Sequence, residues 1–124
     1  MATAQHNMVA GGVVVDGETM SADITSKAVE MEGHTVAGVQ IYSSSTGDRA
    51  GTIYVQESND DTNWVNIQLN DDTLTTSTDI PVTASTEVSK LYNLAGLGCR
   101  FLRVKFSSSS GSTGTLTVYI NKKK

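Results

Sequence analysis

The stretch GTIYVQESNDDTNW, residues 51–64, decides the fold. In its first half Ile53 and Val55 share one side of the chain while Thr52, Tyr54 and Gln56 share the other. Side chains that alternate with period two mark a strand with one buried face. SNDDTN then breaks the pattern. Asn and Asp hydrogen-bond their own backbone and tolerate left-handed conformations, so this run reads as a corner. Trp64 begins a second alternating segment, with Val65, Ile67 and Leu69 set against Trp64, Asn66 and Gln68.

Working outward, Thr35 to Tyr42 sets Ala37, Val39 and Ile41 against Gly38, Gln40 and Tyr42. The spacing predicts a strand whose hairpin partner is residues 51–58. Arg100 to Phe106 aligns Leu102, Val104 and Phe106, and Thr115 to Ile120 aligns Leu116, Val118 and Ile120. SSSSGSTG between them reads as a hairpin loop. Upstream, Met20, Ala22 and Ile24 alternate as a strand, Ala28 to Met31 is a shorter one ended by Gly33, and Val13 to Val15 is a first strand or an anchoring segment. Pro81 makes Ile80 to Val82 an edge or irregular strand. Glu87 to Leu94, with Val88, Leu91 and Leu94, fits one helical turn or a bent strand.

Seven or eight such strands, each with one apolar face, must pack face to face. The expected fold is therefore all-β, an antiparallel β-sandwich of jelly-roll or immunoglobulin-like type. Composition agrees: of 124 residues 38% are hydrophobic and only 18% charged, so Ser, Thr, Asn and Gly fill a chain that suits short strands better than helices. That length fits one domain with a radius of gyration of about 14 Å. Residues 1–12, which include Gly11-Gly12, read as a flexible N-terminal arm. Residues 13–124 form the single domain and end in a short basic tail, Lys122 to Lys124, expected to be solvated.

A formal charge of −4 argues against a domain built to grip nucleic acid. A single cysteine, Cys99, excludes an intramolecular disulfide and reads as a packed, inert thiol. No basic leader or long apolar window appears, so no membrane or export signal is expected. Asn59, Asp60, Asp61 and Asn63 crowd oxygen donors as Ca²⁺ prefers, yet the spacing lacks the bend glycine and closing Glu of a calcium loop. Asp71-Asp72 makes a weaker case still. His6 and His34 sit in no zinc spacing, and Gly96, Gly98, Gly111 and Gly114 lack the lysine of a phosphate loop. No metal, no cofactor and no enzymatic activity are expected. Trp64, Tyr54, Tyr42 and Tyr119 lie opposite the aliphatic rows, where they fit a subunit contact or a sugar platform.

GTIYVQESNDDTNWVNI, together with the terminal FLRVKFSSSSGSTGTLTVYINKKK, resembles small β-sandwich structural proteins of tailed-bacteriophage virions, of the capsid decoration or cement type. The residues that carry the likeness are Gly51, Thr52, Val55, Gln56, Ser58, Asn59, Asp60 and Trp64, then Arg100, Arg103, Val104, Gly114, Thr115 and Leu116. They span about half of the chain. The resemblance implies a virion component assembled in the host cytoplasm and placed on the capsid surface. Its partners would be the major capsid protein and other copies of itself, as a dimer or trimer. A tail or head-fibre accessory role is close by. The expected contacts are Tyr54, Trp64 and Arg103, with Val13, Val14 and Val15 at the end of an arm that lies against the capsid or a neighbouring copy. Some secreted sugar-binding sandwiches share the S-N-D-x-x-x-W turn, which keeps a glycan partner as the alternative.

Overall fold

The computed structural model describes residues 12–44, 50–70, 76–77, 79–82, 88–109 and 112–123. The elements in chain order are β1 (Gly12–Thr19), β2 (Ile24–Thr25), β3 (Val29–Glu30), β4 (Val36–Ser43), β5 (Gly51–Ser58), β6 (Val65–Asn66), β7 (Leu69–Asn70), β8 (Thr76–Ser77), β9 (Ile80–Val82), β10 (Ser89–Leu94), β11 (Phe101–Ser108) and β12 (Thr115–Lys123). One sheet has the order β1-β12-β4-β10. The other is built on the β11–β5 pair, with β2 and β3 along the far side of β11 and β6 and β9 along the far side of β5. β7 and β8 form a separate two-stranded ribbon. Every pairing is antiparallel. The molecule is an antiparallel β-sandwich, with more strands than the seven or eight expected because two edges are made of short pieces.

The alternating rows face one another across the two layers. Ile41, Ile53, Val55, Leu102, Leu116 and Val118 are each 0% exposed and belong to one cluster. Each such side chain contributes roughly 1.5–3 kcal/mol through removal from water. Pairing, by contrast, departs from the sequence reading. β4 pairs with β12 and β10, and β5 with β11, β6 and β9, so β4 and β5 are not a hairpin. Likewise β11 and β12 lie in opposite sheets. In both cases consecutive strands lie in different layers, which a strand with a fully buried row allows as readily as pairing with its neighbour in sequence.

Other expectations are refined in the same way. The strand expected around Met20–Ile24 is a crossing point between sheets. Met20 is buried but donates its N–H to the Gly114 carbonyl at 2.8 Å, while Ser108 Oγ donates to the Met20 carbonyl at 2.7 Å. Asp23 Oδ1 accepts from the Ser108 N–H at 2.7 Å, and Ala22 is exposed. The Trp64–Leu69 segment splits into β6 and β7, which leaves Val65 63% exposed, Ile67 half-buried and Leu69 buried. Of the segment expected over Glu87–Leu94, Ser89–Leu94 is a strand and Glu87 lies outside the described residues, and Pro81 lies on an edge strand as expected. Lys122 does not join a solvated tail. It continues the inward row of β12, is 4% exposed, donates from Nζ to the Glu30 carbonyl at 2.6 Å and is ion-paired with the Glu32 carboxylate. Lys123 is exposed; Lys124, the residues 1–11 of the expected arm, His6, Asp71-Asp72 and Gly111 lie outside the described residues.

Between β2 and β3 the ladder is held by a side chain. Ser26 N–H donates to the Val104 carbonyl at 2.9 Å, and Ser26 Oγ accepts the Val104 N–H at 2.8 Å in a buried position. A hydroxyl thus satisfies a donor that an interrupted edge strand would leave unpaired, as burial requires.

Candidate interaction surfaces

On the outer face of the β5–β11 sheet, register brings the sequence-selected residues together. Arg103 stands opposite Gln56, Lys105 opposite Tyr54, and Asn66 opposite Gln56 on the other side. Arg103 Nε donates to Gln56 Oε1 at 2.8 Å, and Gln56 Nε2 donates to Asn66 Oδ1 at 3.0 Å. The guanidinium carbon of Arg103 lies 4.0 Å from the centroid of the Trp64 ring. A cation over an indole face contributes about 0.5–1 kcal/mol at an exposed site and about 2 when desolvated. Partial burial draws the Arg103 pKa below its ordinary value, and the Asp61 carboxylate opposes the shift. Tyr54 is half-buried on this same face.

The Asn-Asp corner positions Trp64. Ser58 Oγ donates to Asp60 Oδ1 at 2.9 Å and accepts the backbone N–H groups of Asp60 and Asp61 at 3.2 and 3.0 Å. Asp60 Oδ1 also accepts from the N–H groups of Thr62 at 3.0 Å and Asn63 at 2.8 Å, and its Oδ2 accepts Asn63 Nδ2 at 2.7 Å. These donors, the Asn63 backbone N–H first, hold the Asp60 carboxyl far below the usual carboxylate range. Asn59 Oδ1 accepts the Arg100 N–H at 3.1 Å. The Asp60 carboxylate and Asn59 Oδ1, two of the groups considered for a cation, are therefore committed to the turn and to the start of β11.

The aromatic residues do not form one platform. Tyr54 and Trp64 face outward from one sheet, whereas Tyr42 and Tyr119, 42% and 41% exposed, face outward from the other. On that second face the register aligns Val13 with Tyr119, Tyr119 with Gln40, and Gln40 with Leu91. A single row thus crosses all four strands, with Val13 43% and Leu91 61% exposed. Val14 and Val15 point into the core instead, because a register shift between Val13 and Val15 turns them inward. Of the three valines, Val13 alone is left at the surface. The sequence reading missed Leu91, whose spacing from Val88 and Leu94 suits a helix; only its place on an edge strand, one position out of phase with Tyr92, shows that it faces outward.

The remaining candidates sit in local roles. His34 bonds the Met31 carbonyl through both its backbone N–H at 2.9 Å and its ring Nδ1 at 2.8 Å. Cys99 is half-buried, and burial with the nearby Glu57 carboxylate pushes its thiol up, away from the reactive thiolate.

No protein-family model matches the chain, and no curated protein matches it. Among solved structures the chain is similar to the crystal structure of SPBc2 prophage-derived protein YomS, with a TM-score of 0.60 and 12% identity, over 90% of this chain and 93% of that one. At that identity the likeness establishes a shared fold.

Proposed function

We propose that this chain is a non-enzymatic structural protein of a bacteriophage particle, and within that class a capsid decoration or cement protein. The observation that carries the reading is the fold shared over 90% of the chain with a prophage-derived protein. The motif resemblance at Gly51–Trp64 and Arg100–Leu116 supports it independently. Two broad sheet faces suit adhesion: the Trp64–Arg103 cluster on one and the Val13–Tyr119–Leu91 row on the other. Under this reading the mechanism is mechanical. Copies sit over junctions between major capsid protein subunits, bury surface on each neighbour and raise the work needed to separate them under internal pressure.

The assay is co-sedimentation of purified protein with heads that lack it, followed by a heat challenge of the decorated heads. Bound protein and a delayed loss of packaged DNA support the cement reading. Binding to tails alone moves the chain to the tail or head-fibre accessory role, and binding to neither removes both. A glycan-binding role is favoured by the exposure of Tyr42 and Tyr119, but the Arg103 guanidinium already occupies one face of Trp64. Glycan-array binding that survives Trp64→Ala and is lost in Tyr119→Ala would establish that reading instead.

A further inference from the structure

We propose that the open edge of β10 joins two copies of this chain, antiparallel, with Leu91 opposite Leu91 on a two-fold axis. Among the described residues β10 has β4 as its one strand neighbour. Among the described residues, the other edges of the two large sheets are guarded. β1 carries register shifts between Val13 and Val15 and between Val15 and Glu18, with Gly17 at φ 61°. β2 and β3 are separated by the Ser26 irregularity, β6 spans two residues, and β9 contains Pro81. Bulges, brevity, proline and charged side chains, lysine especially, are devices that keep strands from adding to an edge. β10 has no bulge and no proline over its six residues, which pair with β4 without a shift. Its one guard is Lys90, and that charge is accommodated only in a register that sets it against a residue other than its own copy.

The hydrogen-bond phase shows which groups face the opening. Ser43 N–H donates to the Val88 carbonyl at 2.9 Å, which makes Ser43 and Val88 a bonded pair. Bonded and non-bonded pairs alternate along an antiparallel ladder, so Lys90, Tyr92 and Leu94 bond to β4. Ser89, Leu91 and Asn93 consequently point their backbone N–H and C=O groups away from it. A two-fold axis perpendicular to the sheet keeps outward residues outward, so it pairs residues of like parity. Centred on Leu91, it sets Ser89 against the second copy's Asn93 and Leu91 against the second copy's Leu91, so all the open groups are matched. Centring on Lys90 would oppose two like charges, which is destabilising, and leaves Asn93 without a mate on the strand. Centring on Tyr92 leaves Ser89 without one. With Leu91 at the axis, Lys90 stands opposite a tyrosine ring, a favourable neighbour for a cation.

This register also extends the exposed row. Val13, Tyr119, Gln40 and Leu91 of one copy continue into Leu91, Gln40, Tyr119 and Val13 of the other across one continuous sheet. A cleft of about 360 Å³ runs beside β10, with Leu91, Tyr92 and Leu94 on one side and Ile67 and Gln68 on the other. The inward row of the second copy, Lys90 and Tyr92, stands over that cleft. A single strand pairing buries less than the ~800 Å² per partner of a standard interface, so association depends on concentration and gains from many copies on one surface. The proposal deepens the particle reading by naming the edge that joins copies. Its test needs no particle, so either can fail alone.

The experiment is sedimentation velocity from about 1 μM to about 1 mM, together with oxidative cross-linking in a Cys99→Ala background. The wild type should shift from monomer toward dimer, and Leu91→Lys should weaken association about tenfold or more while leaving the melting temperature at about 1 μM, where the chain is monomeric, unchanged. Leu91→Cys should form a covalent dimer, since facing Cα atoms in a bonded pair stand about 5.5 Å apart, within disulfide reach. Asn93→Cys should not. A monomer at every concentration, a dimer indifferent to Leu91→Lys, or equal cross-linking through Asn93→Cys would each overturn the pairing, as would an added peptide from another protein occupying β10 in place of the second copy.

Discussion

Replacing Gly51 with alanine should unseat the start of β5. Gly51 sits opposite Ser108 on β11 and Val82 on β9, with φ at 148°. A Cβ there would lie 2.3 Å from the Ser107 carbonyl oxygen and 2.6 and 2.7 Å from two ring carbons of Phe106. Neither neighbour can yield cheaply: the carbonyl belongs to β11 backbone, and Phe106 is 0% exposed in the core. A backbone held in a region that L-residues avoid costs of order 1–3 kcal/mol, and overpacking a core about as much again, so the loss is about 2–6 kcal/mol. At about 4 °C per kcal/mol for a domain of this length, the melting temperature should fall by about 8–24 °C. Scanning calorimetry on the variant measures it, with Gly98→Ala as control, because a Cβ at Gly98 meets nothing within 4 Å. If Gly51→Ala melts within about 2 °C of the wild type, the reasoning from close approach is refuted.

Three further outcomes are expected. Glu32, paired with Lys122, and Asp60, holding its turn, both have folded-state pKa values below their ordinary ones. The unfolded chain therefore takes up those protons first; their stabilisation is full above about pH 5 and drains away as pH falls through the ordinary values and then the lower folded ones. Denaturant melts from neutral to strongly acid pH should show the loss, and combining Glu32→Gln with Asp60→Asn should flatten it; an unaltered acid limb would contradict the assignment. Ser26→Ala strands the buried Val104 N–H and should cost about 1–3 kcal/mol by urea unfolding, whereas a neutral result would mean water replaces the hydroxyl. A double-mutant cycle on Trp64→Ala and Arg103→Ala should return a coupling of about 0.5–1 kcal/mol; strict additivity would show the stacking to be energetically idle.

The alternating rows were legible because inward position follows from period two alone. Val39, Ile41, Val55, Leu102, Val104, Val118 and Ile120 are buried where the pattern puts them. Partner choice was not legible, because a Ser/Gly loop after such a strand serves a hairpin and an arch equally well. Lys122 shows the opposite failure: its charge suggests solvent, but its phase in β12 and the waiting Glu32 carboxylate draw it inside. Trp64 and Arg103 were identifiable as residue types suited to contacts, yet their stacking arises from the pairing of Arg103 with Gln56 and of Gln56 with Asn66. Leu91 became visible as a surface residue only once β10 was known to be an edge strand.

The claim on which the functional account stands is that this chain is a building part of a particle. Quantitative mass spectrometry of gradient-purified phage from an induced host tests it most directly. The account predicts the chain in the particle fraction at a fixed ratio to the major capsid protein, retained after a high-salt wash. Its presence in the lysate with no trace in washed particles would contradict it.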